Sequence, residues 1–84
     1  MEIFKHLIII IIYIIMNDLK SFIRRRGITN DEDVKLLTSY FSNKAKSQYL
    51  TITNNNGRAD IIAIARRLIN NEDLDTILRL IKRK

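Results

Sequence analysis

Apolar and polar positions divide the chain into two unequal parts. Leu7, Ile8, Ile9, Ile10, Ile11, Ile12, Tyr13, Ile14, Ile15 and Met16 follow one another without a polar residue. Beyond them, apolar residues recur at helical spacing. Leu19, Phe22 and Ile23 fall at i, i+3, i+4 and predict a short helix over 18–26. Asn17 or Asp18 is its candidate N-cap, Arg24, Arg25 and Arg26 complement the dipole of its last turn, and Gly27 is its left-handed stop. A second helix begins at a cap on Thr29 or Asn30, with Asp31, Glu32 and Asp33 in its first turn. Val34, Leu37 and Phe41 form its core stripe, Thr38 is a weak position within it, and Leu36 and Tyr40 widen it. That helix is predicted to end near Ser42-Asn43.

The middle of the chain is ambiguous. Residues 44–50 favour a short helix, but Tyr49 to Thr53 alternates like a strand, which predicts an extended exit into the loop Asn54-Asn55-Asn56-Gly57. A further helix is predicted from Asp60 to Asn70. Ile61, Ile64, Ala65 and Leu68 share one face and Ile62 and Ile69 broaden it, so this element is expected to be central. The last helix is expected to start from a cap on Asn70 or Asn71, with Glu72, Asp73 and Asp75 in its first turn. Its core stripe is Leu74, Ile77, Leu78 and Ile81. The pattern as a whole predicts an all-α fold: a compact bundle of four or five short helices at 17–84, preceded by an apolar helical segment at 1–16.

Three readings of the apolar segment compete. A bilayer-spanning helix needs about twenty apolar residues, whereas ten to fourteen fit an interfacial segment, a core helix or a signal-peptide h-region. No small-x-small cleavage site follows it. As a membrane tether, Leu7 to Ile15 would lie between Lys5 and the cations Lys20, Arg24, Arg25 and Arg26. That bias would keep residues 17–84 on the cytoplasmic side. As a leader it is dispensable, with Met16 as an alternative start. As core it is a strand or a helix wrapped by the others. The small remainder can hardly enclose it, so that reading favours a homo-oligomer.

Composition narrows the partner more than the fold. The chain has 84 residues, enough for one domain, with no cysteine, proline or tryptophan and only two glycines. Disulfides and thiolate metal sites are excluded, and little interrupts helices. The net charge is +6, all of it carried by residues 17–84. Such a balance attracts phosphate, in nucleic acid or on an anionic membrane surface, and equally suits an ordinary soluble surface, with a protein partner as a further candidate.

Candidate chemistry is sparse. The single histidine, His6, borders the isoleucine run and has no catalytic partner nearby. The clusters Asp31-Glu32-Asp33 and Glu72-Asp73-Asp75 lie at helix starts, where the dipole already explains them. No acid falls at the twelfth position of an EF-hand loop aligned on Gly57, and the same loop lacks the Gly-Lys-Ser ending of a phosphate loop. "DLKSFIRRRGI", residues 18–28, is similar to the first helix and turn of SAP-type DNA-binding motifs, although acids open the next helix. Residues 60–84 resemble a helix-turn-helix in outline, with Glu72, Asp73 and Asp75 where recognition helices place base-reading residues. The opposed acidic and basic helix ends suit a death-fold-like docking module by analogy. The expectation is therefore a non-enzymatic interaction or regulatory module without a cofactor. Its basic surface comprises Arg24, Arg25, Arg26, Arg66, Arg67, Arg79, Lys82, Arg83 and Lys84. The alternative is a soluble intracellular nucleic-acid-binding protein using the same residues.

Overall fold

The computed structural model describes residues 2–83, with side chains from residue 13 to residue 83. Four helices follow in order: α1 (Glu2–Arg25), α2 (Asp31–Asn54), α3 (Ile61–Asn71) and α4 (Leu74–Lys82). The fold is all-α, as the periodicity predicts, but two of its elements are longer than expected.

Helix α1 runs through Asn17 and Asp18 without a break, so neither residue caps a separate helix. The physical reason is one continuous buried stripe. Ile15, Leu19 and Ile23 lie at i, i+4, i+8 and all three enter the core. Burial of that stripe outweighs the weak helix propensity of the isoleucines before it. Arg26 and Gly27 donate their amides to the carbonyls of Ile23 and Arg24, and Gly27 takes φ +98°, which closes the helix as expected.

Helix α2 starts where the sequence indicates. The Asn30 side chain accepts from the Asp33 amide at 3.1 Å, above a first turn of three acids. It does not stop at Ser42-Asn43, and residues 49–53 are helical rather than extended. Val34, Leu37, Thr38, Phe41 and Ala45 are buried, and Tyr49 and Thr53 continue the stripe half-buried. The β-branched residues that mimic a strand are accommodated locally. Thr51 and Thr53 donate their hydroxyls to the carbonyls of Ser47 and Tyr49, four residues back, at 3.1 and 3.0 Å. The helix ends in a Schellman turn. Gly57 donates to the Ile52 carbonyl, Asn56 to that of Thr53, and Asn56 adopts φ +64°.

Asp60 caps α3, accepting from the amides of Ile62 and Ala63. The cap of α4 is Asp73, which accepts from Asp75 and Thr76, and not Asn70 or Asn71. Asn70 and Asn71 complete α3 instead. Helix α2, not α3, is the hub: it packs against all three other helices, and α1 also packs on α3. Phe41, wholly buried, meets the edge of Tyr40 at 5.1 Å and 88°. Around it lie Leu19, Ile23, Leu37, Ala65, Ile69 and Leu78, one or more from every helix. Thr38, the weak position in the stripe, is buried with its hydroxyl bonded to the Val34 carbonyl at 2.6 Å.

Candidate functional site

Eight of the nine cations expected to form one surface lie among the described residues, and three of them are held in ion pairs. Arg24 Nη2 lies 2.5 Å from Asp31 Oδ1 across the α1–α2 turn. That hydrogen bond, and then the guanidinium charge, holds the Asp31 carboxyl below its ordinary pKa. Arg66 on α3 makes a two-pronged bond to Asp18 on α1, Nε to Oδ2 at 3.0 Å and Nη2 to Oδ1 at 2.6 Å. Its pKa is raised, first by that hydrogen bond and then by the Asp18 charge. Lys82 Nζ on α4 lies 2.7 Å from Asp33 Oδ1 on α2. These pairs join α1 to α2, α1 to α3 and α2 to α4, three of the contacts on which the bundle is built. The C-terminal turns of α1 and α4 therefore abut the acidic N-terminal turn of α2, so Arg24 and Lys82 face acids rather than solvent alone.

Arg26 is placed by an aromatic ring. Asp18 and Phe22 lie one turn apart on α1, and Arg26 follows in the turn that closes it. The guanidinium carbons of Arg26 and Arg66 each lie 5.4 Å from the Phe22 ring centroid. Arg25, Arg67, Arg79 and Arg83 are exposed and have no carboxylate within ion-pair distance among the described residues. Arg25 lies on the outward stripe of α1 with Ile14 and Ser21. Lys84 lies outside the described residues.

A second feature escapes a reading of charge alone. Leu36, Ser39 and Tyr40 of α2 and Ile77, Leu80 and Ile81 of α4 line an open apolar groove. Leu36 and Tyr40 belong to the widened stripe of α2 and are half-buried beside α4. Leu80 falls outside the core spacing of α4 and is 55% exposed. That misfit is the one signal in the sequence for the groove. Leu80 also belongs to a shelf formed with Thr76, Arg79, Lys82 and Arg83. Lys44 lies over the Tyr40 ring, 4.9 Å from its centroid, at another margin.

The apolar N-terminal run contributes to both core and surface. Leu7, Ile8, Ile9, Ile10, Ile11 and Ile12, like His6, lie outside the described side chains. Where description begins, Tyr13 is 68% and Ile14 53% exposed, whereas Ile15 is buried. Ile15 shares a small cleft with Ser42, Asn43, Lys46 and Ile61. Arg24 meets the start of α2 and Ile15 its middle, so α1 and α2 run antiparallel. Exposed Leu50 and Ile52 therefore lie toward the same end of the bundle as Tyr13 and Ile14. No helix among the described residues is long and apolar enough to cross a membrane.

Acids are committed elsewhere: Asp18, Asp31 and Asp33 to ion pairs, Asp60 and Asp73 to caps. Among the described residues no group of three His, Cys, Asp or Glu side chains has metal-binding geometry. The α3–α4 pair departs from a helix-turn-helix, because α4 packs chiefly on α2. Compared with protein-family models, curated proteins and solved structures, the chain matches none.

Proposed function

We propose that this chain is a small non-enzymatic binding module that acts at an anionic membrane surface. The apolar end of α1 inserts into the interface, and the helical bundle is presented to a partner on the cytoplasmic side. One observation carries the reading: Tyr13 and Ile14 are exposed on a helix whose next residue, Ile15, is core. Tyr13 and Ile14 are thereby left as large apolar side chains in need of cover. Insertion in the plane of the membrane suits a run too short to span. Ile14 and Arg25 share an outward stripe, about 16 Å apart at 1.5 Å rise per residue, so an apolar and a basic group lie on the same side of one helix. The net charge of +6 adds long-range attraction to anionic lipid.

Nucleic-acid binding has less support from the geometry. Arg24, Arg66 and Lys82 are held in ion pairs, and Asp73 and Asp75 occupy the start of α4. Flotation of the full chain with phosphatidylcholine vesicles, with and without phosphatidylserine, separates the readings. The expected result is co-flotation with anionic vesicles only, reduced by Tyr13→Asp combined with Ile14→Asp. Absence from the vesicle fraction, together with salt-sensitive retardation of duplex DNA, would transfer the arginines to phosphate of nucleic acid.

A further inference from the structure

We infer that the α2–α4 groove is a docking site for an acidic amphipathic helix of a partner protein. The inference rests on the binding-module reading above and specifies its partner, but it uses a different face of the molecule. The groove has the chemistry of a helix-in-groove receptor. Leu36, Ile77, Leu80 and Ile81 supply aliphatic walls, Tyr40 an aromatic one, and Ser39 a single hydroxyl. It opens directly onto the basic shelf, because Leu80 lines both.

Charge fixes the occupant. Among the described residues, no carboxylate lines either the groove or the shelf. Arg79 and Arg83 stand one turn apart on α4 with no ion-pair partner among the described residues, and Lys44 stands over Tyr40. A helix with leucines at i, i+3/i+4 and i+7 would set its apolar stripe against Leu36, Tyr40 and Leu80. Glutamates flanking that stripe would meet Arg79 and Arg83. A basic amphipathic helix would bring like charges together there and be rejected. A second copy of this chain would carry its own +6 to the same surface, which opposes self-association through it.

Two synthetic helical peptides with the same leucine stripe, one flanked by glutamate and one by lysine, test this against the full-length protein by fluorescence anisotropy. The acidic peptide is expected to bind at least roughly tenfold more tightly than the basic one. Leu80→Glu changes an exposed side chain and keeps the helical circular dichroism, and it is expected to weaken the acidic peptide by roughly tenfold or more. Arg79→Glu with Arg83→Glu should abolish the preference between peptides. Equal affinity for both peptides, no binding of either, or binding indifferent to Leu80→Glu overturns the inference. So does a dimer in sedimentation that Leu80→Glu dissociates, which would make the occupant a second copy. Vesicle flotation of Leu80→Glu should match the wild type. Failure of the groove and failure of membrane attachment are thereby distinguished.

Discussion

Arg66 shows how one side chain can fix two helices. Its guanidinium grips Asp18 with two bonds while lying against the Phe22 ring, both residues on α1. Lysine has neither the planar fork nor the stacking surface. Arg66→Lys is therefore expected to lower the melting temperature although charge is kept, and Asp18→Asn should have little further effect in the Arg66→Lys background. Additive losses in that double-mutant cycle would show that the two residues act independently. Asp31 makes a pH prediction. Arg24 depresses its carboxyl pKa in the folded chain, so its contribution to stability is present above the unfolded value. It is lost as pH falls through the folded value. Urea titrations of wild type and Asp31→Asn should differ at neutral pH, keep that difference down to about pH 4 and converge only as the pH falls further. Thr38 is a third case. Its hydroxyl is satisfied inside the helix, so Thr38→Val removes one bond without orphaning a partner and should change stability by no more than about 1 kcal/mol in urea unfolding.

At the scale of elements, the start of α2 and the stop of α1 were legible, whereas the starts of α1 and α4 and the end of α2 were not. The cap Asn30, one of two candidates, and the stop at Gly27 follow from residue type and position, and Asp60, expected as the first residue of its helix, is its cap. The break expected at Asn17-Asp18 and the strand-like exit at Tyr49 to Thr53 do not exist, because a buried stripe on α1 and back-bonded threonines on α2 decide against local propensity. The spacing of Ile15, Leu19 and Ile23 is present in the sequence, but the unbroken apolar run before Asn17 hides which of its residues face the core. At the start of α4, Asn70, Asn71 and Asp73 are all competent caps, and the two-residue link 72–73 selects the last. Asp73→Ala should cost about 1 kcal/mol in chemical denaturation, whereas alanine at Asn70 or Asn71 should have little effect. Gly57 tests the end of α2. A Cβ there would lie 2.7 Å from Ile52 Cγ2 and 3.0 Å from the Ile52 carbonyl oxygen, so Gly57→Ala should lower the melting temperature. An unchanged value would mean that the turn rearranges freely.

At the scale of the whole molecule, the all-α class and most core positions were legible because each helix carries its own stripe. Which of the basic residues are ion-paired was not. Which cations meet acids depends on α1 and α4 ending at the start of α2, a consequence of antiparallel packing rather than of spacing. The groove depends likewise on how α4 packs along α2, which leaves Leu36 and Tyr40 half-buried. The run at 7–15 keeps two roles, since Ile15 is core while Tyr13 and Ile14 face outward. The central claim is that this outward stripe enters an anionic membrane interface. The chain has no tryptophan, so Tyr13→Trp supplies a single reporter at the edge of the run. On addition of phosphatidylserine-containing vesicles its emission should shift to the blue and become protected from an aqueous quencher, with no change on purely zwitterionic vesicles. Emission that stays at the water-exposed wavelength on anionic vesicles would contradict the account.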